Sequence, residues 1–224
     1  MSALLFLIFL VVAAGLVFFF GFREGRLSIY RKHIGEALVI QTLERCVPKP
    51  YHLLNNVTLR TVNAANPTTQ IDHILVTAAG IFVIETKHYS GWIFGDPAKP
   101  EWRQVFFQKK ISIRNPIFQN HGHVAVVKGL FKLDSSAFHN IVIFSGQAEL
   151  KSSMGPNVLP LLSVPHYFNA DRPTLLDEKA MTYVVGRIEM NRVPRSNEAD
   201  EYHVQGILQR LRKPAQRWPS FPAA

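Results

Sequence analysis

The rhythm of apolar and polar positions changes several times along the chain, and each change marks an element. From Leu4 to Phe20 no charge interrupts an apolar run. Extended to Phe22, the run is about long enough to cross a bilayer, so residues 4–22 are expected to form one transmembrane helix. A cleaved signal peptide is the second reading. However, nothing basic precedes the run, and Phe18-Phe19-Phe20 closes it where small residues would be wanted. A buried core helix is the third, and such a helix rarely lacks a polar face. Arg23, Arg26, Arg31 and Lys32 follow, so by the positive-inside rule the rest of the chain is cytoplasmic. The expected localisation is the inner cell membrane, single-pass, with residues 23–30 as a juxtamembrane linker.

Ile34 to Leu43 has helical spacing, and Pro48 and Pro50 end that region. Tyr51 to Thr61 is β-rich, and Asn63 to Thr69 is a polar turn. Two β-rich runs follow, Ile71 to Val76 and Ile81 to Thr86, around a small-residue break ending in Gly80; this is a hairpin pattern. Trp92 to Phe94 is a short strand. Glu101 to Phe107 and Lys110 to Ile113 form a second hairpin, turned at Gln108-Lys109. Asn115-Pro116 starts a helix that runs to about Phe131, Pro116 being suited to a first turn. His139 to Phe144 is a further core strand. Val158 to Val164 is expected as one more strand, with helices over Thr174 to Met190 and Asp200 to Leu211. No internal repeat is visible.

Composition narrows the class. The 224 residues suffice for one domain with appendages, and 47% hydrophobic residues are ample for a core. A formal net charge of +9 suits a polyanionic partner without separating nucleic acid from an anionic membrane. The single cysteine, Cys46, excludes an intrachain disulfide framework and fits a reducing compartment. No Cys/His spacing resembles a zinc site. The absence of a Gly-rich phosphate loop disfavours a built-in ATPase. Arg103, Lys109, Lys110 and Arg114 put basic charge on the second hairpin, either as a phosphate-contacting rim or as a solvated face. The tail with Arg210, Arg212, Lys213 and Arg217 reads first as a solvated terminus, with a contact to anionic lipid or nucleic acid as the alternative.

The chemistry lies in the first hairpin. If Val76 pairs with Ile81, Asp72 falls opposite Glu85, and Glu85 shares a face with Lys87. Two carboxylates this close repel unless a cation sits between them. Lys87 supplies part of that charge, and a divalent ion suited to oxygen ligands, such as Mg²⁺, could supply more. The plain alternative is an ion pair on a half-exposed sheet. Glu36, early in its helix, reads on its own as a carboxylate favoured near a helix N-terminus.

These residues belong to a longer string: Gly35-Glu36, Gln70-Ile71-Asp72-His73, Gly80 to Lys87, Tyr89-Ser90-Gly91, Asn115-Pro116, Gln119-Asn120 and His123. The string resembles the PD-(D/E)XK nuclease core and, more specifically, the NERD (nuclease-related) domain, over residues 31–145. His88 stands where that family commonly has Asn. The resemblance implies an α/β fold with a restriction-endonuclease-like core, a mixed central sheet flanked by helices, following the transmembrane helix. Residues 146–224 would be a C-terminal helical extension and basic tail. It further implies Mg²⁺ or Mn²⁺ held by Asp72, Glu85 and the Thr86 carbonyl. Lys87 would orient or deprotonate a water or offset transition-state charge. Glu36 would complete the acidic cluster, and Gln119, otherwise a cap for a buried backbone group, would join the catalytic set. The implied function is a membrane-anchored, metal-dependent nuclease acting on DNA. A non-catalytic nucleic-acid-binding module and a membrane-tethered protein adaptor are the alternatives.

Overall fold

The structure, a computed structural model, describes residues 32–62 and 67–194. Its centre is the hairpin of β2 (Thr68–Thr77) and β3 (Gly80–Lys87). Both strands are almost wholly buried, so their sequences run apolar instead of alternating. Val76 pairs with Ile81 and Thr77 with Gly80. Gly80 has φ +124°, and a Cβ there would lie 2.6 Å from the Ala137 carbonyl oxygen. Only glycine meets both conditions without strain.

β1 (Tyr51–Arg60) pairs antiparallel with β2, while β7 (Phe138–Phe144) pairs parallel with β3. With β9 (Val158–Pro160) added, the sheet is mixed, in the order β1-β2-β3-β7-β9. Helices cover it. Helix α1, residues 32–46, brings Val39 and Leu43 against Leu75, Phe82 and Ile84, joined by Phe168 of α3 (Val164–Phe168). Helix α2 (Pro116–Lys128) and α4 (Glu178–Asn191) contribute Val127, Met181, Val184 and Ile188 to a second cluster with Ile74, Val76, Ile81 and Val83. The architecture is mixed α/β, with sheets flanked by helices.

A parallel neighbour needs a crossover, and α2 lies in it. Asn115 caps this helix, its Oδ1 accepting the Ile117 N–H at 2.9 Å. Its Nδ2 donates to the Lys99 carbonyl at 2.7 Å, tying the preceding loop to the cap. Asn120, fully buried, donates from Nδ2 to the carbonyls of Val83 (2.8 Å) and Ile141 (3.1 Å), one on β3 and one on β7. The Asn-Pro and Gln-Asn pairs of the sequence therefore position one helix over one strand pair.

Several expectations need correction. The central sheet is accompanied by a second, ordered β6-β5-β4-β8, made of β4 (Gly91–Phe94), β5 (Glu101–Phe106), β6 (Lys109–Arg114) and β8 (Ala148–Leu150). Gly91, at φ +83°, opens β4, where a Cβ would meet the Val105 carbonyl oxygen of β5. The turn of the second hairpin is Phe107-Gln108, one residue earlier than expected, because Phe106 pairs with Lys109. The expected strand 158–164 stops at Pro160 and passes through a 3₁₀ turn into α3. Helix α4 begins only at Glu178, where Asp177 caps it by accepting the Ala180 N–H at 2.7 Å. The N–H groups of Leu175 and Leu176 go instead to the Ala78 carbonyl.

The expected single-pass membrane localisation is likewise corrected: among the described residues, no helix is long and apolar enough to cross a membrane. Residues 4–22, the 23–30 linker, the helix expected at 200–211 and the basic tail lie outside the described residues.

Asn120→Ala removes the donors that join α2 to β3 and β7. The variant is expected to lose about 2 kcal/mol or more of stability, measured as a lowered urea midpoint. An unchanged midpoint would show that α2 is held without it, by packing, by the Asn140 Nδ2 bond to the Ile117 carbonyl and by the Gln119 contacts with Glu85 and Lys87.

Candidate active site

The β2–β3 ladder runs from Thr77–Gly80 to His73–Ile84. One step further, where the register sets Asp72 against Glu85, the carboxylate takes over from the backbone: Asp72 Oδ2 accepts the Thr86 N–H at 2.9 Å. At this end of the hairpin, side chains from four elements converge. Glu85 Oε1 accepts from Lys87 Nζ at 2.7 Å and from Gln119 Nε2 at 2.8 Å. Lys87 Nζ also donates to Gln119 Oε1 at 3.0 Å, closing a triangle of three side chains. His123, one helical turn beyond Gln119 on α2, brings Nε2 to 3.4 Å from Glu85 Oε2. Its Nδ1 is 2.9 Å from Thr69 Oγ1.

Helix α1 supplies the other side. Lys32 Nζ lies 3.4 Å from Asp72 Oδ1 and 3.5 Å from Glu36 Oε1. Glu36 Oε1 is buried with no hydrogen-bond partner among the described residues. The helix can come this close because residue 35 is glycine. A Cβ there would lie 2.6 Å from His88 Cβ and 2.8 Å from Ser145 Oγ. His88, in the place of the more common Asn, sits with Nδ1 3.2 Å from that serine hydroxyl.

The two central carboxylates are buried to the same degree, 3% and 4% exposed, yet their protons are held very differently. Burial and the neighbouring Glu85 push Asp72 up to about 6, against the opposing pull of Lys32 and the Thr86 N–H. Burial also disfavours the Glu85 anion, but the close approach of His123 and the Lys87 ammonium outweigh it and hold Glu85 at about 2. For Lys87, burial works against the charge; Glu85 and Tyr89 outweigh it, so its pKa is raised. Lys32 is raised in the same way, against its burial, by Asp72, Glu36 and Glu85. His73 is lowered to about 4 by burial and bridges Asn55 Oδ1 (2.8 Å) and Thr86 Oγ1 (3.1 Å).

Of the residues singled out in the sequence, Glu36, Asp72, Glu85, Lys87 and Gln119 come together here. Thr86 contributes its N–H and hydroxyl to neighbouring side chains. Among the described residues, no group of three or more His, Cys, Asp and Glu side chains is arranged to hold a metal ion. Two ammonium groups occupy the cluster: Lys87 at Glu85, and Lys32 between Glu36 and Asp72.

Sequence reasoning left out Lys32 and His123 as site residues. Each had a signal at helical spacing: Lys32 stands four residues before Glu36, and His123 four after Gln119. Nothing in the sequence, however, shows α1 and α2 meeting the same strand ends.

A mixed α/β domain with two buried carboxylates and an ammonium gathered at the end of its central hairpin is the arrangement that the chain's relatives help to classify. Residues 31–145 match the model of the nuclease-related domain (NERD), and the chain belongs to that family. It is also similar to an "uncharacterized protein" of Bacillus anthracis, with 40% identity over 124 residues. That match covers 50% of this chain and 58% of the relative, so this chain spans little more than half of the relative's length. No solved structure matches the chain.

The raised Asp72 pKa has a consequence for stability. In the folded protein Asp72 holds its proton to about 6, in the unfolded chain only to the ordinary 3.8. Ionising it therefore costs stability as the pH rises from about 4 to about 6, and the cost persists above that. Asp72→Asn removes the cost, while the His73 titration is common to both proteins and cancels in the difference. In metal-free buffer at about pH 7.5 the variant is expected to be more stable by about 1–3 kcal/mol, with the gap closing below about pH 4. Urea unfolding at the two pH values checks this; a variant less stable at the higher pH would contradict it.

Proposed function

We propose that this domain hydrolyses phosphodiester bonds in nucleic acid, DNA first among its substrates, as a Mg²⁺- or Mn²⁺-dependent nuclease of the PD-(D/E)XK, restriction-endonuclease-like type. The observation that carries the reading is Asp72 beside Glu85, both buried, with the Lys87 ammonium 2.7 Å from Glu85. Family membership supports it, as does the order of a helix, three antiparallel strands, a helix and a strand parallel to the third.

The chemistry of the donors fits the ion. Asp72 and Glu85 offer only oxygen, which suits hard cations. Glu36 adds a buried carboxylate oxygen without a hydrogen-bond partner. Asp72 and Glu85 would hold the ion, with the Thr86 carbonyl as a backbone donor. When bound, such an ion polarises the phosphate and lowers the pKa of a coordinated water.

The remaining roles fall to the chain itself. Lys87 is held protonated, and an ammonium has no lone pair with which to take a proton. Of its expected roles, orienting the water and offsetting charge on the phosphate fit better than deprotonation. Gln119 fixes Glu85 and Lys87 relative to each other. His123, oriented by Thr69, stands 3.4 Å from the second Glu85 oxygen, its Nε2 without a hydrogen bond among the described residues. Asp72 is the less readily ionised carboxylate, so it gains most from an arriving cation.

The second reading is a nucleic-acid-binding module without catalysis. Lys32 favours it, because its ammonium already meets Asp72 and Glu36 from within.

Calorimetric Mn²⁺ titration beside a plasmid-cleavage time course tests the proposal. Asp72→Ala is expected to lose metal binding and cleavage together. Lys87→Ala is expected to keep Mn²⁺ binding, because a nearby positive charge is gone, and to cleave about a hundredfold or more slowly. Wild-type rates from Lys87→Ala would refute its role in the chemistry. A parent protein that binds DNA but leaves it intact with either ion would establish the second reading.

A further inference from the structure

Three strands of the second sheet, β4 to β6, interrupt the chain between Lys87 and Gln119, and the reading above gives that sheet no role. Its inner face is accounted for: Ile93 and Trp102 pack with Val142, Phe144 and Ile117. The outer face is not. On β4, Trp92 and Phe94 point the other way from Ile93 and are 48% and 39% exposed. The register extends this face across the sheet. Trp92 pairs with Val105 and Val105 with Lys110; Phe94 pairs with Arg103 and Arg103 with Ser112. A column of two aromatic rings thus runs beside columns carrying Arg103 and Lys110.

The charges on this face do not cancel. Glu149, opposite Trp92, is occupied by Lys151 at 2.6 Å, and Lys151 lies 5.1 Å from the Trp92 ring centre. Glu101 faces Arg114 and accepts from Ser112 at 2.7 Å. The side chains of Arg103 and Lys110 make no ion pair or hydrogen bond among the described residues. A cleft of ≈ 670 Å³ reaches this face at Phe94, Arg103, Lys110 and Ser112; Asp96 and Glu101 also line it, and Trp92 lies outside its lining.

We propose that this outer face binds a single-stranded segment of nucleic acid, its bases stacking on Trp92 and Phe94 and its phosphates meeting Arg103 and Lys110. Two side chains at i and i+2 on a strand are about 6.6 Å apart, roughly twice the 3.4 Å between stacked bases of a duplex strand. Rings at that spacing match the bases of an unstacked strand. In a duplex the base faces are covered by one another and offer nothing to an aromatic ring. Unpaired guanidinium and ammonium groups beside such rings form the general pattern of a single-strand platform. This deepens the nuclease reading and rests on it only for what the bound strand is: a substrate with a single-stranded stretch, such as a frayed end, flap or gap.

The test is fluorescence anisotropy of the full chain with a labelled twelve-nucleotide oligothymidylate and with a duplex of the same length, in EDTA so that nothing is cleaved. The single strand is expected to bind at least tenfold tighter than the duplex. Trp92→Ala combined with Phe94→Ala should weaken single-strand binding by roughly ten- to a hundredfold. Arg103→Gln combined with Lys110→Gln should lower the salt slope by about one to two. All four side chains are partly or fully exposed, and unchanged circular dichroism would confirm folding. Duplex binding as tight as single-strand binding, parental affinity in the ring variant, or binding to anionic phospholipid vesicles without binding to the oligonucleotide would each overturn the proposal. A protein that holds the strand in EDTA but never cleaves it with Mg²⁺ or Mn²⁺ refutes the nuclease reading and supports this one. A protein that cleaves duplex DNA yet binds in any of the overturning ways refutes this one alone.

Discussion

The buried charge of Glu85 is the constraint around which the domain is built. A carboxylate taken out of water is strongly disfavoured unless it is paired and hydrogen-bonded. Here Lys87 and Gln119 meet one oxygen, and His123 approaches the other. Those partners come from β3 itself and from α2, and His123 is in turn held by Thr69 at the start of β2. Helix α2 must therefore cross the sheet at one height and one rotation. The Asn115 cap sets where it begins, and Asn120 fixes it to β3 and β7. The parallel strand pair, the crossover helix and the charge cluster are a single mechanical unit.

Asp72 gives that unit its chemical asymmetry. It is as buried as Glu85 but has fewer compensating groups: one backbone N–H and the more distant Lys32. Two adjacent carboxylates whose surroundings drive their pKa values apart can take different roles in one reaction. The same imbalance makes the site an expensive feature of the fold, as expected where function and stability compete. Lys32, at the start of α1, is the counter-ion that lets Asp72 and Glu36 lie close together.

Much of this was legible in the chain. The hairpin was readable because β2 and β3 are apolar strands around a Gly80 turn, and its register followed from the turn. That register puts Asp72, Glu85 and Lys87 together, and the surrounding motifs point to the family. The second sheet was not legible as a separate unit, because β4 pairs with β5 and with β8, a three-residue strand without an apolar pattern. Lys32 and His123 were visible only as helical neighbours of other site residues; their importance comes from tertiary approach, which Gly35 permits for α1. The apolar run at 4–22 led to a membrane localisation that the described residues do not bear out.

The split between the two carboxylates is most directly measured by carbon-detected NMR titration of the side-chain carboxyl groups in metal-free protein, with Asp72→Asn and Glu85→Gln used for assignment. The account predicts that the Asp72 resonance titrates near pH 6 and that Glu85 stays ionised down to about pH 2 or to acid unfolding. Two carboxyls titrating together near pH 4 would contradict it. They would show that water reaches the cluster, and that Lys87, Gln119 and His123 do not hold Glu85 as described.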